Sequence, residues 1–481
     1  MQRIAIIGGG ISGLSAAYHL EQQRRGGLPL QYVLFESADH LGGSLLTARA
    51  DGCLIEAGPD SFLTEKPWAA DLCRELGLGN QLIGSNDAER KTYILVKGRL
   101  VPLPDGLMFM VPTKILPVVF SPLFSFGAKL RMAQEWFHPP RPAAGDETVA
   151  ALVTRHYGSE MVDRLADPLL SGVYGGEASG LSVRAVLPRF ADMEARHGSL
   201  GRGMLAARKR MSKAKAAPRP LFTSLKEGMQ QLVDALLAKL PAEALRTEDA
   251  VRELRHQNGV WSLVANSGTQ DFDAVIMATP APIAGALLAS TQPHLASELG
   301  AIAYTSSVTV TLGYERAGLR LPPGFGFLVP RSEGKRMLAC TFVHNKFPHR
   351  APPGRALVRC FLGGARDEEI LSWSDVEIET AVRKELREIL WLTAQPLFCR
   401  VYKWKGAMAQ YGVGHLERLE RIERLRQQLP GLALAGNGYR GIGVPDCILS
   451  GKEAAALITG SHPSVTGVTP AKNPFAQQPA P

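Results

Sequence analysis

Near the beginning of the chain the stretch RIAII, from residue 3, contains four consecutive apolar residues, and it gives way at once to glycines and then to a periodic apolar pattern. The run predicts a buried strand, and the stretch ISGLSAAYHLEQQ after it predicts an amphipathic helix. A second apolar stretch, YVLFE, ends at Glu36 and predicts the next strand. A strand, a glycine turn, a helix and a strand in this order are typical of a nucleotide-binding βαβ unit.

Three later segments continue this pattern. Residues 222–240 predict a strand followed by an amphipathic helix, and residues 245–288 predict a β-meander that ends in the strand DAVIMATP. Residues 432–457 predict a short strand, a glycine-broken turn and an alanine-rich helix. These segments have the character of later parts of the same nucleotide-binding domain.

The intervening segments differ in character, since residues 92–220 are predicted to be largely helical. Residues 304–404 mix β-rich stretches with one amphipathic helix over 375–391. We therefore predict an α/β protein in which a Rossmann-type dinucleotide-binding domain alternates with an α+β substrate-binding domain and a helical subdomain. The predicted division is 1–91, 222–303 and 405–459 for the dinucleotide-binding domain, 92–221 for the helical region, 304–404 for the β-rich substrate domain, and 460–481 for a disordered tail.

Composition narrows the class of protein. At 481 residues, with 45% apolar and 21% charged residues, the chain is too long for one ordinary core and is typical of soluble globular proteins. The net charge of +9 comes largely from the stretch 202–220, which we predict to be a solvated basic loop. No nucleic-acid-binding signature accompanies that charge, so nucleic acid is not expected as a partner.

The cysteines and the beginning of the chain bear on its compartment. Six scattered cysteines have neither C-x-x-C nor metal-ligand spacing, which favours free thiols, a reducing compartment and no metal site. Because RIAII is already a strand, no secretory leader is expected. A cytoplasmic location is the resulting expectation.

The glycines after the first strand have the spacing Gly8-x-Gly10-x-x-Gly13. In a dinucleotide site Gly8 permits the tight turn, Gly10 lets the backbone approach a pyrophosphate, and Gly13 lets helix and strand pack closely. Glu36 would accept hydrogen bonds from ribose hydroxyls, and its charge argues against a 2′-phosphate. The surrounding strands and helix make this motif far more specific than an isolated glycine pattern.

The continuation HLGGSLLTARADGCLIEAGPDSFL decides which dinucleotide is expected. It carries a second glycine pair, Gly42 and Gly43, and then a strand that ends in a Gly-Pro turn. This combination resembles the amine-oxidase-like flavoproteins, and the resemblance places the second pair against the FAD pyrophosphate and the Gly-Pro turn near the flavin. His40 and Ser44 flank the pair here, where those proteins often carry arginines.

Four further stretches narrow the resemblance. They are KGRLVPLPDGLMFMVPTKILP, ADPLLSGVYGGEASGLSVRAVLPRFADMEARHGSL, GFGFLVPRSEGKRMLACTFVHNKFPHRAPPG, and YKWKGAMAQYGVGHLERLERIERL leading into GNGYRGIGVPDCI. With them the chain resembles, from residue 3 to about 457, the oxygen-dependent protoporphyrinogen/coproporphyrinogen oxidase family of haem biosynthesis. The segments ACTFVHNKFPH and AQYGVGH are most similar to bacterial, coproporphyrinogen-type members.

The resemblance implies non-covalently bound FAD and the six-electron oxidation of a porphyrinogen to a porphyrin. Three rounds would each pass a hydride to flavin N5, with O2 as the acceptor and H2O2 as the product. The hard step belongs to the cofactor, and an electron-rich tetrapyrrole can lose protons by tautomerising, so no protein residue is predicted as a catalytic base. The resemblance leaves contact with another haem-pathway enzyme, and the oligomeric state, open.

The resemblance also implies cofactor-binding residues. They are Gly8, Gly9, Gly10, Ile11, Ser12, Gly13, Glu36, Ser37, Gly42, Gly43, Gly58, Pro59, Asp60, Ser61, Val251, Trp404, Ile442, Gly443 and Val444. Among them, Val251 would contact the adenine through its backbone and Trp404 would lie near the flavin. Ile442, Gly443 and Val444 would also lie near the flavin, and the dipole of the helix that follows them would be directed at the carbonyl edge of the flavin.

For the substrate, the resemblance places Gly326 and Leu328 against the tetrapyrrole. Plant and animal relatives have an arginine against a propionate at the position of Thr92, and Arg90 and Lys91 beside it are the candidate substitutes. An ordinary strand leucine, a turn glycine and an exposed basic pair are the competing interpretations.

The apolar strip 107–126 is long enough to suggest a membrane span. Pro112, Pro117 and Pro122 interrupt it, and Lys114 lies within it. The strip resembles the substrate-entrance region of the family, so peripheral contact with the inner face of a membrane and a buried helical lid are both open.

Two other functions stay open. Another amine-oxidase-like flavin oxidase, acting on an amine or a carotenoid precursor, would leave the four family-specific stretches unexplained. A non-catalytic porphyrin-binding scaffold would leave the intact glycine motif and Glu36 unexplained. The choice between coproporphyrinogen III and protoporphyrinogen IX is not made by the sequence.

Overall fold

A parallel sheet forms around the first strand of the chain. The computed structural model describes residues 1–141, 145–213 and 220–461. The apolar run at the beginning forms the middle strand, whose Ile4 and Ile6 are fully buried. The five strands are all parallel and lie in the order Leu245–Arg246, Leu30–Phe35, Gln2–Ile7, Ala274–Met277 and Leu432–Leu434.

Layers cover both faces of this sheet, as a parallel sheet requires. One face carries three helices, Ile11–Arg25, Gln230–Leu237 and Val444–Thr459. The other carries an antiparallel meander and three helices: Val251–Gln257, Val260–Ala265, Gly268–Phe272, Ala281–Leu288, Pro293–Gly300 and His415–Arg426.

The first helix differs from its prediction, because it is buried on nearly every side over its first three turns rather than amphipathic. It lies between the sheet and the last helix. The Ser15 hydroxyl donates to the carbonyl of Ile448 at 2.7 Å, and a Cβ added at Gly451 would overlap the carbonyl oxygen of Ser12. The beginning and the end of the described chain therefore pack against each other at backbone distance.

A second, larger sheet has seven strands. Their order is Phe398–Ala409, Tyr304–Glu315, Arg355–Gly363, Ala339–Phe342, Gly326–Leu328, Thr92–Val96 and Arg99–Pro102. The last two lie in the predicted helical region, so the boundary at residue 92 is displaced: the chain enters the helices only after this hairpin. Likewise, the strand Phe398–Ala409 runs across the predicted boundary at 404.

One face of the seven-stranded sheet is an apolar core. Val310, Phe327 and Cys360 point into it and pack against the helix Asp375–Leu390. That helix begins with a capping box, in which Ser374 and Glu377 satisfy each other's backbone N–H groups. Since side chains alternate along a strand, the neighbouring positions point to the opposite face, where Thr309 contacts Ala57 and Leu328 packs against the helical region.

The remaining region is mostly helical. Its helices are Ile115–Phe120, Phe126–Glu135, Val149–Tyr157, Ser159–Met161, Asp167–Tyr174, Val183–Val186, Pro188–His197 and Leu200–Lys213, with a π-turn at Val162–Ala166. The basic stretch predicted as a loop is thus helical as far as Lys213. Leu, Met, Ala, Arg and Lys favour helix, and Ser199 accepts a hydrogen bond from the N–H of Arg202 in the first turn.

Short elements complete the fold. They are the strands Thr47–Ala50, Cys53–Glu56, Phe62–Leu63, Leu82–Gly84, Leu107–Met108, Val111–Pro112 and Phe222–Leu225, and the helices Trp68–Glu75 and Val343–Lys346. The last helix ends at Thr459. The predicted tail from residue 462 onwards and the end of the basic stretch, residues 214–219, lie outside the described residues.

Candidate active site

The glycine loop joins the middle strand to the first helix. A Cβ added at Gly13 would overlap the carbonyl oxygen of Gly8, so a glycine is required there for helix and strand to pack. A Cβ added at Gly10 would have nothing within 4 Å, so this side of the loop is open. The helix begins without a side-chain cap, which leaves the N–H groups of its first turn available to an anion.

The second glycine pair lies directly on this loop. The N–H of Gly42 donates to the carbonyl of Gly9 at 2.8 Å, and Gly42 pairs with Gly10 in a parallel bridge. Gly42 and Gly43 both have positive φ, 104° and 58°, which favours glycine. Two backbone segments without side chains thus meet at the open side of the loop, as a bound pyrophosphate would require.

Glu36 is held at the carboxyl end of its strand. Its Oε2 accepts from the N–H of Gly9 at 2.6 Å, and its Oε1 accepts from the N–H of Ala38 at 2.8 Å and from the hydroxyl of Ser37 at 3.1 Å. These bonds fix the carboxylate beside the glycine loop.

The predicted adenine-binding strand begins next to Glu36. The N–H of Asp249 donates to the Glu36 carbonyl at 2.9 Å, and Val251 follows two residues later, half-buried and paired with Ala265. The structure therefore brings the predicted ribose and adenine contacts together.

The Gly-Pro turn lies on the other side of the glycine loop. A Cβ added at Gly58 would overlap the carbonyl oxygen of Ser44, which directly follows the second glycine pair. Gly58, Pro59, Asp60 and Ser61 are half-buried. A dinucleotide with its pyrophosphate at the loop and its ribose at Glu36 would extend its far end towards this turn.

One carbonyl of this turn accepts three side-chain donors from the seven-stranded sheet. The donors to the Ala57 oxygen are the Thr309 hydroxyl at 2.7 Å, Trp404 Nε1 at 3.0 Å and Arg359 Nη2 at 3.3 Å. Arg359 Nη2 also donates to the carbonyl of Gly58 at 2.5 Å. The second sheet therefore fixes the turn from behind.

Asp60 is ion-paired across the same boundary. Lys346 Nζ donates to both of its carboxylate oxygens, at 3.0 and 3.1 Å, and to the Ser61 hydroxyl at 3.2 Å. Burial alone would raise the pKa of Asp60, but the charges of Lys346 and Arg359 lower that pKa below the usual range of a carboxyl group. Asp60 is thus an anion at all ordinary pH values.

The last predicted cofactor segment lies at the beginning of the final helix. Ile442 and Gly443 are half-buried, and Val444 is the first residue of the helix Val444–Thr459. Asp446 Oδ2 accepts from the N–H of Gly443 at 3.3 Å, and Lys66 Nζ binds the same carboxylate at 2.6 and 2.7 Å.

The predicted substrate residues share one face of the seven-stranded sheet. Thr92 lies directly opposite Gly326, and the row continues across the sheet through Thr341 to Arg359. Leu328 lies in the next row on this face, because it is two residues further along the strand. The structure thus brings Thr92, Gly326 and Leu328 to the face that fixes the Gly-Pro turn.

The basic pair beside Thr92 is placed differently. Arg90 and Lys91 are both exposed. Arg90 directly follows the 3-10 turn Asp87–Glu89, and Lys91 directly precedes the strand Thr92–Val96. The backbone of Lys91 nevertheless contacts the residue before the strand Gly326–Leu328, since the Lys91 carbonyl accepts a hydrogen bond from the N–H of Phe325 at 2.7 Å.

Sequence reasoning missed several contributors, among them Arg359, Thr309 and Lys66. Arg359 and Thr309 look like ordinary strand residues, and Lys66 looks like an exposed loop lysine. Their partners, Ala57 and Asp446, are hundreds of residues away in sequence, so no local spacing points to them. The alternation of polar with apolar residues in YTSSVTVTLGY is the signal that could have indicated a polar face of the second sheet.

The geometry fits a dinucleotide with a large planar end. The open glycine loop and the uncapped helix would hold the pyrophosphate, and Glu36 and Val251 the adenosine. The segments around Gly58 and Ile442 would hold the planar group. Among residues 1–141, 145–213 and 220–461, no group of three or more His, Cys, Asp or Glu side chains could hold a metal ion.

This fold and site define a dinucleotide-binding oxidoreductase of the flavin-dependent class. The family model for flavin-containing amine oxidoreductases matches residues 11–459. The chain belongs to this family, and its cofactor is FAD.

Several relatives are similar over nearly the whole chain. Coproporphyrinogen III oxidase of Bacillus subtilis is 35% identical over 95% of this chain and 97% of its own length. Human protoporphyrinogen oxidase is 32% identical over 96% of this chain and 99% of its own. A crystal structure from Exiguobacterium sp. 255-15, assigned to the protoporphyrinogen oxidases, superposes with a TM-score of 0.86 at 31% identity over 96% of this chain and 99% of that one.

Proposed function

We propose that this protein oxidises a porphyrinogen to a porphyrin in haem biosynthesis, with O2 as acceptor and H2O2 as product. The observation that carries the proposal is the 35% identity to a coproporphyrinogen III oxidase over 95% of the chain. Porphyrinogen and porphyrin differ by six hydrogens, so one substrate molecule and three O2 give one porphyrin and three H2O2. Coproporphyrinogen III is the preferred candidate, and protoporphyrinogen IX is the alternative.

FAD, when bound, would supply two-electron, hydride-accepting chemistry with O2 as the final acceptor. We propose that the residues predicted from the sequence hold it without a covalent bond. The protein fixes its position through rigid backbone: the glycine loop at one end, and at the other the Ala57 carbonyl with its three donors. Acid precipitation should release all the yellow cofactor, whereas colour retained in the pellet would contradict non-covalent binding.

The substrate slot is proposed to lie on the polar face of the seven-stranded sheet, at Gly326 and Leu328. A helix from the helical region closes it, because the helix Asp167–Tyr174 approaches Leu328 closely: a Cβ added at Gly172 would lie 3.7 Å from the Leu328 methyl group. An apolar wall of this kind suits a flat macrocycle. Thr92, with Arg90 and Lys91 beside it, is the proposed propionate end of the slot.

The decisive experiment supplies anaerobically prepared coproporphyrinogen III and protoporphyrinogen IX to the purified yellow protein and admits O2. We expect porphyrin fluorescence to grow, with three H2O2 formed per porphyrin, and faster with coproporphyrinogen III. Flavin that is not reduced by either porphyrinogen under anaerobic conditions would refute the proposed function.

A matched pair of variants tests the slot. Leu328 is half-buried on the polar face, whereas its neighbour Val329 is fully buried in the core on the other face. Leu328→Ala should raise KM for the porphyrinogen severalfold with little loss of stability, and Val329→Ala should lower the melting temperature with KM unchanged. Equal KM values for the two variants would place the substrate elsewhere.

A cytoplasmic location with peripheral membrane contact is proposed as well. Within the described part of the chain, no helix is both long and apolar enough to cross a bilayer. Phe120 and Phe126, in the apolar strip, and Phe137 just beyond it are each more than 80% exposed. We expect the protein to co-float with anionic vesicles and to be released by carbonate, and Phe120→Ser with Phe126→Ser to abolish flotation.

A further inference from the structure

A cluster of charged side chains lies between the Gly-Pro turn and the seven-stranded sheet. Its positive members are Lys346, Arg350 and Arg359, and its negative members are Glu56 and Asp60. We call these five residues the turn cluster. Arg350 and Arg359 are 1% and 3% exposed, and Glu56 is equally buried, so water does not compensate their charges.

The two carboxylates are already assigned to two of the three cations. Glu56 pairs with Arg350, and Asp60 pairs with Lys346 at 3.0 Å. Arg359 donates only to backbone carbonyls, those of Ala57 and Gly58. The cluster therefore contains one more positive charge than negative charges, and a buried charge of this kind is costly unless a counter-ion accompanies it.

Each carboxylate oxygen of the cluster already accepts at least one hydrogen bond. Glu56 accepts from the N–H of Met229 at 2.8 Å and from the Thr47 hydroxyl at 2.8 Å, in addition to Arg350. Asp60 accepts on both oxygens from Lys346, and on one of them from Ser61. What the cluster has in surplus is hydrogen-bond donors.

Three surplus polar atoms border one small cavity. Arg350 Nε, Arg359 Nε and Thr311 Oγ1 are buried and have no hydrogen-bond partner, and all three residues line a cavity of about 10 Å³. Thr311 and Arg359 are directly opposite each other on neighbouring strands, so their side chains share one face. Buried polar atoms without partners call for a bound water or ion.

We propose that this cavity is a binding site for one small monovalent anion, of which chloride is the physiological example. The anion would accept from the two arginine Nε–H groups and the Thr311 hydroxyl, and it would neutralise the unpaired charge of Arg359. The rest of the wall consists of the apolar side chains of Leu54, Ile55, Val343 and Leu357 and of Glu56 and Asp60, whose carboxylates are already paired with Arg350 and Lys346. The volume is that of a single small occupant.

The site is separate from the proposed substrate slot and independent of it. Of the residues predicted to contact FAD, Asp60 borders the cavity, on the side of the turn that faces the second sheet. An anion there would fill the space behind the turn rather than compete with a dinucleotide. Failure of the porphyrinogen assay would leave this inference untouched, and the reverse also holds.

The first test compares the melting temperature of the FAD-loaded protein in sodium chloride and sodium gluconate at constant ionic strength. We expect a saturable rise with chloride, of roughly 2 °C at ten times the dissociation constant. Bromide should act like chloride, and a crystal grown in bromide should show an anomalous peak in the cavity. The same melting temperature in both salts, or a water in the cavity without an anomalous peak, would overturn the proposal.

Three variants separate this site from general salt effects. Arg359→Met removes the unpaired charge and should abolish the chloride-dependent rise. Thr311→Val removes one donor and keeps both arginines, so the midpoint of the chloride titration should move to about fivefold higher concentration. Arg252→Met makes the same charge change at an exposed position and should leave the titration as in the unmodified protein. A rise that persists undiminished in both Arg359→Met and Thr311→Val would mean that chloride acts elsewhere.

Discussion

The two ends of the proposed FAD site are built in different ways. The pyrophosphate end is local in sequence, since the loop from Gly8 to Gly13 is made by one turn and reinforced by Gly42 nearby. The flavin end is assembled from remote segments: the Ala57 carbonyl accepts from Thr309, Arg359 and Trp404. The first end depends on the absence of side chains, and the second depends on buried polar side chains that are held by a separate sheet. The two ends should therefore respond differently to substitution.

The largest effect is expected in the turn cluster. Arg350→Met leaves the carboxylate of Glu56 buried without its charged partner, which should lower the free energy of unfolding by about 3–5 kcal/mol. Chemical denaturation of the FAD-loaded protein measures it. Arg355→Met, which breaks an exposed pair with Asp51, is the control and should change the midpoint little. Similar midpoints for the two variants would show that the flavin end does not depend on this pair.

The next effect separates packing from cofactor binding within the glycine loop. Gly13→Ala places a Cβ on the Gly8 carbonyl and should destabilise even the FAD-free protein, by about 2–3 kcal/mol. Gly10→Ala meets nothing in the protein, so the FAD-free protein should keep its stability while FAD affinity falls by about tenfold to a hundredfold. Flavin fluorescence titration and thermal unfolding of the apoprotein give both quantities. An unchanged FAD affinity in Gly10→Ala would place the pyrophosphate elsewhere.

A smaller effect compares two donors to the same carbonyl. Trp404→Phe and Thr309→Val each remove one hydrogen bond to Ala57, and each should cost about 1 kcal/mol of stability. If Trp404 lies near the flavin as predicted, its substitution should also alter the visible circular dichroism of the bound FAD, and Thr309→Val should not. Identical spectra for the two variants would make Trp404 a structural residue only.

The smallest effect concerns pH and the first helix. Burial and, to a lesser degree, the charge of Lys452 lower the pKa of His19 from 6.5 to about 4. Between pH 6.5 and pH 4, His19 therefore binds a proton in the unfolded chain but not in the folded chain. The contribution of neutral His19 to stability is fully present above pH 6.5 and is lost as the pH falls towards 4. His19→Gln should reduce the loss of unfolding free energy between pH 7 and pH 4 by an amount on the order of 1 kcal/mol. Denaturation at a series of pH values over this range measures the loss. The exposed His294→Gln is the control, and an unaltered slope in His19→Gln would assign the dependence to other groups.

The features that the sequence could predict are those made by residues close together in the chain, and the features it could not predict are made by remote residues. The glycine motif, Glu36 and the parallel strands are defined by neighbours in the chain, so their types and spacing indicate their positions. The ion pair of Lys66 with Asp446 and the donors around Ala57 join residues hundreds of positions apart, and nothing near any of them in sequence marks the partner. The strands at 92–102 were missed because their pairing with Gly326–Leu328 in the larger sheet is decided by tertiary contact. The prediction of a loop for the basic stretch is wrong as far as Lys213, because a run of positive charge does not prevent residues of high helix propensity from forming a helix.

The packing of Gly451 on Ser12 also governs when the site can come into existence. The last strand, Leu432–Leu434, completes the parallel sheet and the last helix covers the first helix, so synthesis must pass the end of that last helix before residues 1–20 have all their final neighbours. Until then the first helix, which is buried in the folded protein, lacks its covering helix. We therefore expect the chain to bind FAD only late in its synthesis. A nascent chain halted before residue 432 should accordingly be colourless, however much FAD surrounds it.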